Sequence, residues 1–281
     1  MKNSIVPCLW FNGNANEAAQ LYCSAFPEAE IKNDTPMVVT FHIQGKQFIG
    51  LNGGPNHKPN PSISFFYTFK SEAELTKAWS ILSAEGKVMM ALDSYPWSSK
   101  YGWLEDKFGV SWQLSLATPT QNEAEVFPSL MFTKEQNGKA QQAIDFYTAV
   151  FPNSYVALIA KYEPGEGDTV GNIKHAQFNL NGYKIAIMES SMVHEFQFDW
   201  GVSLSVSCDT QEEIDHYWNK LTECGQESMC GWCQDRFGLW WQIVPSSLGK
   251  YMTDPAKAPR VMEAFMKMSK FNIAEIEEAA S

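Results

Sequence analysis

The sequence predicts an α+β protein: two tandem domains, each of paired β-α-β-β-β modules, followed by a C-terminal helical tail. Three observations predict it. A fourteen-residue stretch occurs twice, as YGWLEDKFGVSWQL from Tyr101 to Leu114 and as CGWCQDRFGLWWQI from Cys230 to Ile243. The order strand, helix, three strands recurs along the chain. A polar stretch with one proline, Thr118 to Glu125 (TPTQNEAE), separates the two series. The domains are placed at residues 1–118 and 124–250, with the tail at 251–281.

The repeated stretch reads as a β-hairpin. Gly102/Gly231, Trp103/Trp232, Asp106/Asp235, Phe108/Phe237, Gly109/Gly238, Trp112/Trp241 and Gln113/Gln242 are identical in the two copies. A strand runs to about Glu105, Asp-Lys-Phe-Gly turns, and Val110 to Leu116 returns. Aspartate binds its own turn backbone, and glycine supplies the left-handed position.

The other elements follow in order. Ile5–Phe11 is a short apolar strand. Asn16–Phe26 places Ala18, Ala19, Tyr22, Ala25 and Phe26 on one helical face, and Pro27 ends it. Strands are expected at about Glu28–Lys32, Met37–Ile43 and Lys46–Asn52. Asn52–Pro61 (NGGPNHKPNP) is a loop. After a strand at Ile63–Phe69, Ser71 with Glu74 forms a capping box for a helix that Gly86 stops. Val88–Leu92 is a strand and Asp93–Lys100 an aromatic loop. The series then restarts: Phe127–Phe132 echoes Val6–Phe11, His175–Ser191 echoes Val38–Gly54, and Thr210–Gly225 echoes Ser71–Gly86. In the tail, one helix is expected from about Ala256 to Met268 and a second from Ile273 to Ala280.

Composition narrows the function. The chain has 281 residues and a net charge of −11. That charge argues against nucleic acid and anionic membranes, which demand Lys and Arg. Arg236 and Arg260 are the only arginines, so bidentate phosphate clamps are scarce. No signal pattern and no apolar run of about 20 residues is present, so a cytoplasmic protein is expected. The cysteines are irregularly spaced and imply no disulfide scaffold.

The motifs P-x-L-x-F before an A-x-x-F/Y helix (Pro128 to Phe151), H-A-x-F-x-x-x-G (His175 to Gly182), D-R-F-G-x-x-W-Q (Asp235 to Gln242) and R-V-M-x-A-x-x-K-M (Arg260 to Met268) resemble the PhnB-like, or demethylubiquinone methyltransferase-like, group. That group belongs to the vicinal-oxygen-chelate superfamily of glyoxalase I, extradiol dioxygenases and bleomycin-binding proteins. The resemblance implies paired βαβββ modules whose strands curl round a cleft. It also implies a divalent metal held by His, Gln or Glu from four strands. The corresponding positions here are Pro7, Asn52, Ser64 and Gln113, then Pro128, Glu189, Ser203 and Gln242. Proline offers no donor and serine a poor one, so no metal and no other cofactor is expected. Nor does a Gly-rich strand–turn–helix for a nucleoside cofactor occur: Gly53-Gly54 lead into Pro55.

The candidates that remain are aromatic and amide side chains. Trp10, Trp97, Tyr101, Trp103 and Trp112, with Trp200, Trp232, Trp240 and Trp241, are the pool from which a small-molecule cleft would be lined; strand alternation sends about half of them to the other face. Gln113 and Gln242 are polar anchors, or partners of backbone groups. Glu189 is a candidate acid or base, and His175 a candidate proton donor or a structural histidine. Cys230-x-x-Cys233 lies on a strand, where residues three apart face opposite ways, which favours a structural role. The expectation is a small-molecule binder with an aromatic cleft, as monomer or homodimer. A metal-dependent lyase or dioxygenase using Glu189 and Gln242 is the alternative, and a structural or interaction module a further one.

Overall fold

The structure, a computed structural model, describes residues 4–118 and 124–281. Residues 119–123 of the expected linker lie outside the described residues. The first half contains β1 (Ile5–Phe11), α1 (Ala15–Ala25), β2 (Glu30–Asp34), β3 (Val38–Ile43), β4 (Lys46–Asn52), β5 (Ile63–Phe69), α2 (Glu72–Leu82), β6 (Lys87–Tyr95), β7 (Ser98–Glu105) and β8 (Ser111–Leu116). The second contains β9 (Glu125–Phe132), α3 (Ala140–Val150), β10 (Tyr155–Lys161), β11 (Ile173–Leu180), β12 (Tyr183–Glu189), β13 (Val202–Cys208), α4 (Gln211–Thr222), β14 (Gln226–Glu227), β15 (Trp232–Gln234) and β16 (Trp240–Pro245). The tail holds α5 (Leu248–Met252), α6 (Ala258–Phe265) and α7 (Ile273–Ala279). No helix among the described residues is long and apolar enough to cross a membrane.

Local rules account for most boundaries. Ser71 accepts from Glu74 N–H and Thr210 from Glu213 N–H, so both second-module helices start on a side-chain cap. Neither α1 nor α3 has a cap of that kind. Their first amides are met from a distance: Asn52 Oδ1 accepts from Ala15 N at 3.0 Å, and Glu189 Oε1 from Ala140 N at 3.0 Å. Two expectations are corrected. Asp93–Lys100 is not an aromatic loop; it is mostly strand, because β6 and β7 pair irregularly as far as Tyr95 and Ser98. The tail helix is shorter than expected, with Pro259 in its first turn setting the start, and α5 precedes it.

The sheets do not follow the halves. One sheet has the order β14-β15-β16-β13-β1-β4-β3-β2, the other β10-β11-β12-β9-β5-β8-β7-β6. The first module thus shares a sheet with the fourth, and the second with the third. Both joins are antiparallel: Cys8 of β1 lies opposite Ser203 of β13, and Ser64 of β5 opposite Ser129 of β9. The helix-bearing faces pack within each half instead. Phe26 sits 4.7 Å from Trp112 and Phe48 5.1 Å from Phe65; Tyr147 sits 5.6 Å and Phe151 5.4 Å from Trp241. Trp112 and Trp241 are fully buried. Truncating such a ring to alanine costs about 3–5 kcal/mol.

Each repeated turn is closed by its aspartate. Asp235 accepts from Phe237 N and Leu239 N through Oδ1, and from Trp241 Nε1 (2.8 Å) and the Tyr147 hydroxyl (2.7 Å) through Oδ2. Asp106 does the same for Phe108 N, Val110 N and Trp112 Nε1, with Tyr22 beside it. Gly109 and Gly238 both have φ of +88°, which only glycine adopts without strain. Burial pushes both carboxyls up to about 6, although the donors around them pull the other way.

Two outcomes follow. A folded aspartate that holds its proton to about pH 6, against about 4 unfolded, contributes stability that is complete below pH 4 and lost as pH rises through 6. Denaturation midpoints measured from pH 4 to 7 therefore fall more steeply for the parent than for Asp235→Asn, by on the order of 2–3 kcal/mol at most. Equal slopes would remove the buried-acid account. Separately, residues 1–118 expressed alone leave β1 and β5 as open edges. Light scattering should report a dimer, β1 of one copy on β5 of the other; a stable monomer would contradict this.

Candidate functional site

Strand alternation assigns each residue a face. In the first sheet Leu9, Leu204, Trp241 and Cys233 belong to the core. Their neighbours Cys8, Trp10, Ser203, Gln242, Trp240 and Trp232 therefore share the opposite face. Gln242 Nε2 donates to Ser203 Oγ at 2.9 Å, and both groups lie within hydrogen-bonding reach of the Cys8 thiol. Burial pushes that thiol up to about 11, so it stays protonated. Trp232 lies directly across from Gln242. Trp10 is 6.0 Å from Trp232, and Trp200 stacks on Trp240 at 3.7 Å. His57 completes the cluster, stacked on Trp200 at 5.6 Å and edge-on to Trp10 at 5.1 Å. Asp199, held up in pKa by burial, lies in the field of His57. Among the described residues nothing donates to the Gln242 amide oxygen, and this side chain is partly exposed.

The second sheet carries the matching row, Ser129, Ser64 and Gln113, but its amide is sealed. Gln113 Nε2 donates to Ser64 Oγ at 2.6 Å, and the Tyr101 hydroxyl donates to Gln113 Oε1 at 2.7 Å. All four residues are buried, and Ser129 Oγ has no partner among the described residues. Trp103 lies across from Gln113 and donates to Ser111 Oγ at 2.7 Å. Trp97 stands outside, 61% exposed, stacked on Tyr95.

The family described as 3-demethylubiquinone-9 3-methyltransferase matches residues 3–115 and again residues 124–244. The chain belongs to that family. The PhnB protein from Bacillus cereus is 34% identical over 42% of this chain and 98% of its own, with a TM-score of 0.37. Glyoxalase I from Zea mays is 13% identical, covers 87% of this chain and 94% of its own, and has a TM-score of 0.56, a likeness of fold. The family match bears out the expected demethylubiquinone methyltransferase-like resemblance, and the likeness to glyoxalase I shows the fold that went with it. No curated protein sequence matches it.

The donor rows do not suit the superfamily's metal. Each offers hydroxyls and one amide, with a protonated thiol in the first sheet, and every group is neutral. Among the described residues no three His, Cys, Asp or Glu side chains gather as a metal site. The expected positions Pro7 and Pro128 were one residue off: the side chains on the donor face are Cys8 and Ser129. Asn52 and Glu189 point to the helix side, where each caps a helix. Glu189 also accepts from Ile173 N at 2.6 Å, so both its oxygens are engaged. Glu189 and Gln242 lie in different sheets and do not form one site. His175 on β11 is four strands, or about 19 Å, from the Gln113 strand. Its Nε2 meets Gln177, and burial lowers its pKa. Trp112 and Trp241 are core residues and leave the list of cleft walls.

Sequence reasoning placed His57 in a loop and missed its part in the tryptophan cluster. The hint available was its position in Asn52–Pro61, the loop that leaves the strand paired with Trp10. The two rows predict different costs. Gln113→Leu strands the buried Tyr101 hydroxyl and should lose about 1–3 kcal/mol, more than Gln242→Leu. Chemical denaturation measures both, and equal losses would contradict the sealed-versus-open distinction.

Proposed function

We propose that this protein binds a small, flat organic molecule at the Gln242 end of the first sheet, without a metal at that site. The observation that carries this reading is the free amide oxygen of Gln242 beside Trp232 and Trp10, where the sister amide of Gln113 is sealed. Indole faces bury an aromatic or conjugated ligand, and one acceptor orients an N–H or O–H group on it. Methyl transfer, named in the family's description, needs a nucleoside-binding turn; Gly53 instead packs under Trp10, whose Nε1 donates to Gly54 O at 2.9 Å. A lyase or dioxygenase centred on Glu189 and Gln242 has no support from the positions of those two residues. The second reading is a non-catalytic interaction module, favoured by the stacking of Trp200 on Trp240, which fills part of the mouth.

The neutral probe N-phenyl-1-naphthylamine tests the first reading. Its fluorescence should rise to saturation at one molecule per chain. Trp232→Ala should weaken binding about tenfold or more, a loss of roughly 1.4 kcal/mol, and Trp97→Ala should leave it unchanged. Absence of saturable binding would favour the interaction module.

A further inference from the structure

The C-terminal tail has no counterpart in the first half, and it ends against one turn of the fourth module. Cys230 N donates to Met268 O at 2.7 Å and Gly231 N to Ser269 O at 2.8 Å. Beyond this brace the tail is fastened to α4: Lys270 pairs with Asp215 at 2.6 Å, and Gln211 binds Phe271 O and Ile273 N. The result is a group of soft sulfur donors. The Cys230 thiol donates to Met266 Sδ at 3.6 Å, and the sulfur of the preceding residue, Met229, accepts from Ser269 Oγ at 3.5 Å. Met229 and Met266 are both exposed, so the group opens to solvent.

Cys230 is also where the two repeats part company. Its equivalent, Tyr101, lies in a strand and seals Gln113. Cys230 instead has φ of +58°, a conformation that non-glycine residues rarely hold. The backbone turns and carries the thiol to Met266.

We propose that Cys230 and Met266 form a binding site for a soft monovalent metal ion of the Cu(I) type. Thiolate and thioether sulfurs select such ions over harder divalent ones. Two sulfurs 3.6 Å apart can both touch one ion at about 2.3 Å, with an S–metal–S angle of about 100°. On binding, the thiol releases its proton to solvent and the thiolate donates a lone pair; the copper arrives and remains as Cu(I). Because the thiol must give up its proton to bind the ion, uptake weakens as pH falls.

Competition with bicinchoninate, followed anaerobically by its coloured Cu(I) complex, tests the site. All proteins carry Cys224→Ser, which removes the exposed thiol. The parent should withdraw one equivalent of Cu(I) per chain and should not withdraw Zn(II) from a zinc indicator. Cys230→Ser should lower Cu(I) affinity at least a hundredfold. Met266→Leu keeps side-chain volume and the thiol, and should lower it about tenfold. Failure of the parent to compete overturns the proposal. So does uptake that survives Cys230→Ser, or affinity unchanged in Met266→Leu.

Discussion

The structure depends on one constraint: the first strand of each module has an edge that must be paired. A four-stranded module ends at β1, β5, β9 or β13, and an open edge there exposes a row of amides and carbonyls. Joining β1 to β13 and β5 to β9 satisfies all four edges at once. Because helices pack within each half while edges pair between halves, neither half is complete without the other. Each donor row is a product of this arrangement, since Cys8 meets Ser203 and Ser64 meets Ser129 only across a join.

Much of this was legible in the sequence. The D-x-F-G turns, the capping box at Ser71 with its echo at Thr210, and the module order are local signals, and local physics decides them. The partner of β1 was not legible. β5 (ISFFYTF) and β13 (VSLSVSC) are repeats of one strand, and nothing local distinguishes them as partners for β1. The registers of β1 and β9 were off by one residue because Pro7 and Pro128 interrupt the polar–apolar alternation that sets a face.

Glu189 shows why a chemically suggestive residue misleads. A buried carboxylate at a strand end has the look of a ligand or a base. Its counterpart in the first half, Asn52, has the same task without a charge: each accepts from the first amide of a helix that lacks a local cap. A carboxylate is favoured there by the helix dipole as well as by the hydrogen bond. The two residues were matched from the sequence, but their shared task shows only where each strand end meets the start of a helix.

Duplication also explains how the two rows came to differ. The two copies of a position need not keep the same partners. Tyr101 closes on Gln113 and turns the second row into a buried polar chain, which stabilises by satisfying groups already removed from water. At the matching position Cys230 turns away, Gln242 keeps an open oxygen, and Trp10 and Trp240 stand where the second sheet has Met131 and Ser111. A ligand that used both faces equally would need both amides free. Under the proposed reading, one face per chain takes the ligand, and the sealed row of the other sheet serves as structure.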